Sequence, residues 1–254
     1  MKTKLLNLFV LSLVLPLAFV ACEKDGLSNV KKEKVNINFK ASDGSTRSVG
    51  EAETRGLLFD IVKVTSFKIN IGEIEFDFAD DDELAVDFNG TFSSRDDIEL
   101  KGPFKIDLVS KGDMKIQTVI SNLKVPVAAY EEIEFEMKKC KDKKSTMFGN
   151  SIQIEGEILD TPFIFASDKE FDFEIEFDKP FIPGQNNEIT INFYLNKLFT
   201  SSISGINFKD AIEFKHNGKI EIFYKEDATN TPGYEFGKKV WGWLNNVIDC
   251  EVDD

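Results

Sequence analysis

The chain has 254 residues, 24 of them phenylalanine, and its 45 acids outnumber its 31 lysines and arginines to leave a formal charge of −14. Acidity of that size argues against a nucleic-acid partner and against an electrostatic grip on anionic lipid, since both are polyanions. The length suits one large β domain or two small ones, with ample material for a packed core.

Lys2 and Lys4 precede an apolar run from Leu5 to Val20, and Ala21 stands directly before Cys22. A basic start, a short apolar stretch and a small residue at the cut make a secretory signal over residues 1–21. The run contains Pro16 and is shorter than the roughly 20 residues a spanning helix needs. Leu17-Ala18-Phe19-Val20-Ala21-Cys22 resembles the lipobox of bacterial lipoproteins, with Phe19 where that family more often has Leu. The resemblance implies that the Cys22 thiol takes a diacylglyceryl group, and that the signal is removed to leave Cys22 as the lipidated first residue. Attachment to the bacterial outer membrane would then come from the acyl chains. Residues 22–34 are polar without a periodic apolar face and read as a flexible tether. Within them Glu23-Lys24-Asp25 resembles the acidic, lysine-containing tag of surface-exposed lipoproteins of Bacteroidota-type bacteria, which implies display on the cell surface, with a periplasm-facing protein as the alternative.

From there the pattern has period two. Val35, Ile37 and Phe39 alternate with polar residues, as in a half-buried strand. Residues 41–55 turn small, polar and charged and read as a long loop or linker carrying Arg47 and Arg55, two potential processing sites. Phe67, Ile69 and Ile71 lie on one strand face, and Ile74, Phe76 and Phe78 on another. Gly72, where the alternation slips by one, predicts a β-bulge. Asp80-Asp81-Asp82-Glu83 reads as a turn, and Asn89-Gly90 between apolar alternations as a hairpin. Further strands follow at Phe104–Leu108, Ile116–Val119, Ile133–Met137, Ile152–Ile154 and Phe163–Phe165, with a turn at Asp160-Thr161-Pro162. Residues 171–178 alternate four large apolar side chains with four acids, and Pro180, Pro183 and Gly184 are expected to end that strand. Ile189–Leu195 adds another, and Ile212 and Phe214 lead into a second Asn-Gly hairpin at His216-Asn217-Gly218. From about Gly237, Val240, Trp241, Leu244, Val247 and Ile248 recur at helical spacing and predict one amphipathic helix. The expectation is all-β: an antiparallel β-sandwich of about 8–10 strands with one C-terminal helix, in a single domain over residues 35–254. The phenylalanines suit a core fed from two sheets.

Candidate chemistry is sparse. Cys140 and Cys250 are an even pair in an oxidising compartment, so a disulfide between them is allowed. Asp80, Asp81, Asp82 and Glu83 offer hard oxygen ligands for Ca²⁺, but lack the EF-hand spacing and its glycine. The acids at 172, 174, 176 and 178 read as the wet face of a strand. His216 sits in a hairpin turn, a poor mount for a general base. Trp241 matches the apolar stripe of the expected helix, whereas Trp243 lies off it and is a candidate ligand contact, for instance with a sugar ring. No phosphate loop, zinc-ligand cluster or nucleophile elbow occurs in the sequence, and no cofactor is implied.

Three segments carry a wider likeness. Ile71-Gly72-Glu73-Ile74-Glu75-Phe76, then Gly102-Pro103-Phe104, then Tyr130-Glu131-Glu132-Ile133-Glu134-Phe135 resemble an uncharacterised family of secreted bacterial β-domain lipoproteins. That family more often has Gly where this chain has Ala129, and it brings no established activity. A second likeness is to fimbrillin-type pilus subunits, in which a cut after an arginine beyond the first strand releases the subunit for assembly by strand exchange. Arg47 and Arg55 stand in the corresponding region. The expected function is a non-enzymatic, lipid-anchored envelope protein for binding or structure, with an assembly subunit or a glycan-binding surface module as alternatives. The protein or glycan partner is not read from the sequence.

Overall fold

In the computed structural model, residues 31–44, 57–78 and 98–253 are described. Cys22, Arg47, Arg55, the Asp80–Glu83 acids and the Asn89-Gly90 hairpin lie outside those residues. Two sheets carry the fold. The first has the order β14-β11-β1-β6. It is built from β1 (Lys32–Ser42), β6 (Ile116–Pro126), β11 (Glu188–Tyr194) and β14 (Ile248–Asp253). β1 lies in its middle, parallel to β11 and antiparallel to β6. Its start at Lys32 takes three residues of the expected tether into the sheet, with Lys32 opposite Pro126.

The second sheet is organised around β3 (Val62–Phe78). Val62 and Val64, then Phe67, Ile69 and Ile71, then Ile74 and Phe76 are all fully buried, so the inward-facing parity changes twice along one strand. Each change coincides with a break in register, between Val64 and Ser66 against β8 (Ile152–Ile158), and between Ile71 and Glu73 against both β4 (Ile98–Ser110) and β7 (Tyr130–Met137). The expected irregularity at Gly72 is therefore present. A side chain there would also have to displace Lys138, whose Cδ lies 2.3 Å from an ideal Cβ. At this point the sheet forks. One edge of β3 carries β8 and then β7, while the other carries β2 (Leu57–Phe59) and then β4. β7 leads on to the edge strand β10 (Phe171–Phe181). β8 leads on through β9 (Thr161–Ser167) to β13 (Lys219–Tyr224) and the short β12 (Lys215–His216). A two-residue β5 (Asp113–Met114) folds back on β4.

Aromatic rings join the layers. Phe39 of β1 meets Phe135 of β7 edge-on at 5.4 Å, and Phe67 of β3 meets Phe193 of β11 at 5.6 Å. Offset and edge-on pairs of this kind contribute about 0.5–1.5 kcal/mol beyond the area they bury. One apolar core runs from Val35 to Val247. One lateral edge is closed by a side chain: Gln117 of β6 accepts from the Asp107 N–H (2.9 Å) and donates to the Lys105 carbonyl (3.2 Å), filling a hydrogen-bonding position on β4.

The fold is the expected β-sandwich, with differences. Fourteen strands occur among the described residues and two pairs are parallel, β1 with β11 and β9 with β13. β10 does not stop at Pro180 but continues to Phe181, which an edge strand tolerates because no neighbour needs the missing N–H. The turn expected at residues 160–162 is formed by Leu159 and Asp160, both with positive φ, and Thr161 and Pro162 already belong to β9. Phe208–Phe214 is a 3₁₀ segment rather than a strand, capped by Asn207, which accepts from the Lys209 N–H and donates to Asp210. The Asn217-Gly218 hairpin is present, both residues having positive φ. Two short helices, α1 (Leu195–Phe199) and α2 (Ser201–Ser204), follow β11. The single C-terminal helix divides into α3 (Tyr234–Gly242), a 3₁₀ turn at Leu244–Asn246 and β14. Ile248, Cys250 and Val252 alternate with acids, and the open edge of β11 takes that period-two segment as a strand.

Candidate functional site

Two charged surfaces stand out on the second sheet. The first is carboxylate. Across β3, β7 and β10 the register places Glu75, Glu134 and Glu174 in one row, and Asp77, Glu132 and Glu176 side by side in the next. Like charges directly opposite one another on a sheet are destabilising, so these rows are an unfavourable feature that the core beneath sustains. Carboxylate oxygens of Asp77, Glu132 and Glu134 approach within 4.8 Å of one another, a spacing that can accept a shared proton or a hard cation. Partial burial, then Asp77, Glu132, Glu174 and Glu75, push the Glu134 carboxyl up to about 7. Glu132 is raised by burial first and by Asp77 next. At the near end the rows are partly neutralised: Lys138 pairs with Glu136 and lies 3.5 Å from Glu73.

The second surface is cationic. The β7–β8 connection holds Lys138, Lys139, Lys141, Lys143 and Lys144, a concentration at odds with the acidic chain. Its base is closed by mutual hydrogen bonds, Cys140 N–H to Asn150 O (2.8 Å) and Gly149 N–H to Cys140 O (2.9 Å). Asp142 ties its tip, accepting from the Lys144 N–H and pairing with Lys105 at 2.7 Å. Lys68 donates to Thr146 at 3.1 Å. Cys140 and Met147 are buried beneath the loop, which turns Phe148 outward to 51% exposure. Lys139 is held by Asp168 at 3.0 Å, whereas no carboxylate of the described residues pairs with Lys141, Lys143 or Lys144.

The residues singled out in the sequence fall elsewhere. Cys140 and Cys250 are both free thiols, so the allowed disulfide is not formed: Cys140 lies under the loop against the second sheet and Cys250 on the edge strand β14 of the first. Burial and the neighbouring Asp249 and Glu251 push the Cys250 thiol up to about 12, which leaves it little thiolate at neutral pH. His216 is exposed at the hairpin, 3.7 Å from Glu221. Trp243 packs partly buried against the core, and its indole N–H donates to the Lys197 carbonyl at 2.9 Å. The acids of β10 are its wet face, as expected, but the sequence did not reveal that β7 and β3 extend that face. Acids alternating on three strands were the available signal. For the loop, it was the crowding of lysines between Met137 and Ser145.

The protein is thus a mixed-sheet β-sandwich whose second sheet carries adjoining acidic and basic surfaces. A model of DUF4382, a domain of unknown function, matches residues 59–210, more than half of the chain, and the chain belongs to that family. The match leaves out β1 and the segment from β12 to β14, although β1 and α3 contribute to the same core. No curated protein matches, and no solved structure does. Among the described residues no helix is long and apolar enough to cross a membrane.

Proposed function

We propose that the chain is a lipid-anchored outer-membrane protein, acylated at Cys22 and displayed at the cell surface, whose β-sandwich has a non-enzymatic binding or structural role. The observation that carries this is the run from Lys2 to Cys22, with its basic start, apolar stretch and small residue before a cysteine. The apolar stretch is followed closely by β1, so the acylated terminus would enter the fold through a short tether. Radioactive palmitate should label the wild type and not Cys22→Ala. Equal labelling would remove the anchor.

A second reading, an assembly subunit, is favoured by the position of β1. This strand is clamped between β11 and β6, and the chain beyond it contains Arg47 and Arg55. A cut after either arginine would leave β1 held by hydrogen bonds and packing alone. Its departure would open a slot lined by Phe193, Ile191 and Ile189 of β11 for a strand from a second copy. This reading requires assembled protein whose N-terminus lies just after Arg47 or Arg55. An acylated Cys22 terminus throughout the assembly would rule it out.

A further inference from the structure

We propose that the loop at residues 138–149 is a docking surface for a layer of anionic phospholipid headgroups, with Phe148 entering the acyl boundary and Lys141, Lys143 and Lys144 set against the phosphates. The loop is pre-formed: the Cys140–Asn150 and Gly149–Cys140 hydrogen bonds, the Lys105–Asp142 pair and two buried side chains hold it in one shape. That shape buries Met147 and exposes its neighbour Phe148, with three lysines beside it that no carboxylate of the described residues neutralises. An exposed large apolar side chain in the same short loop as three exposed lysines matches a surface that is apolar below and anionic above.

The cation type decides between partners. Among the described residues the cations of this surface are all lysine. Lysine is a compact, hydrated point charge that suits mobile phosphates, whereas the planar fork of arginine suits a shaped carboxylate or phosphopeptide site. The formal charge of −14 argues against a grip by the chain as a whole, but it is a sum over the molecule, and charges more than about 8 Å from the loop are largely screened at physiological salt. The acidic rows of β3, β7 and β10 would be repelled by the same layer, which restricts the domain to orientations with the loop toward the bilayer. The inference depends on the lipid-anchor reading only for bringing the loop near a bilayer, and palmitate labelling tests that separately.

The test uses the full-length protein in phosphatidylcholine vesicles, with and without about 30 mol % phosphatidylglycerol, so that anionic charge is the variable. Acetylation of each lysine by a water-soluble reagent is followed by mass spectrometry, with exposed Lys238 of α3 as the internal reference. Acetylation of Lys141, Lys143 and Lys144 should slow about fivefold or more in the anionic vesicles only, recover at high salt and slow less in Phe148→Ser. Equal rates in the two vesicle types would overturn the proposal. So would protection produced by a soluble anionic polysaccharide and not by phosphatidylglycerol, which would assign the surface to a glycan. Undiminished protection in Phe148→Ser would overturn the insertion of that side chain.

Discussion

The outer faces of the two sheets are built alike, from polar side chains on alternating positions, but their neighbours are matched differently. On the first sheet unlike groups meet: Lys40 pairs with Glu251 at 2.9 Å, Tyr194 donates to the same carboxylate at 3.3 Å, and Asn38 donates to Glu188. Lys40 and its hydrogen bonds hold the Glu251 carboxyl below the usual range. Across β3, β7 and β10 like groups meet, and Glu134 moves the other way. The contrast shows that strand alternation places polar residues on the wet face without deciding whether they attract or repel. The rows of the first face add side-chain attraction to the backbone ladder, whereas the carboxylate rows of the second subtract from it, and attraction there is confined to their margins, at Lys138–Glu136 and Lys63–Glu157.

Four substitutions would break or sharpen that contrast. The largest effect is expected from Phe135→Ala, beneath both faces, since Phe135 touches Phe39, Phe173 and Phe193. Urea unfolding should show a loss of about 3–5 kcal/mol, as for other buried phenylalanines. Next is Gln117→Ala, which strips two hydrogen bonds from the β4 edge and should cost about 1–2 kcal/mol in the same measurement. An unchanged midpoint would mean that water replaces the side chain without loss.

Glu134→Gln should have the opposite sign and a size of up to about 1 kcal/mol, the scale of exposed cross-strand pairs. Because its folded carboxyl is raised to about 7, the folded state binds more protons than the unfolded state between the ordinary carboxylate range and neutrality. Wild-type stability should therefore fall as pH rises through that window, with the penalty fully present above it. The Glu134→Gln variant should be the more stable protein at about pH 8 and show no advantage at about pH 4. A gain that persists in acid would be packing and not relief of charge. The smallest effect is expected for Lys40→Ala on the matched face, a loss of about 0.5 kcal/mol that salt weakens, as for exposed ion pairs generally.

The elements most legible in the sequence were those whose local pattern agrees with their setting. Val35–Phe39, Ile133–Met137 and the Asn217-Gly218 hairpin all appear where alternation and turn chemistry place them, as does the break at Gly72. The segments that depart from their local pattern are those in which a neighbour decides. Ile248–Asp253 satisfies a helical stripe and a strand alternation equally, and the free edge of β11 chooses the strand. Ile212 and Phe214 were taken into a 3₁₀ turn by the Asn207 cap. Both candidate surfaces were visible only as local composition, because the rows of carboxylates and the outward turn of Phe148 exist only once separate segments are brought together.

By itself the sequence determined the all-β class and the inward face of most strands, because each is written in local spacing that packing has no reason to reverse. Tertiary structure alone decided the parallel partnership of β1 with β11, the separation of Cys140 from Cys250 and the setting of acids beside acids on three strands. These depend on which strand lies beside which. Strand order is fixed by the shared core and by edges left open elsewhere in the chain, to which no single segment refers.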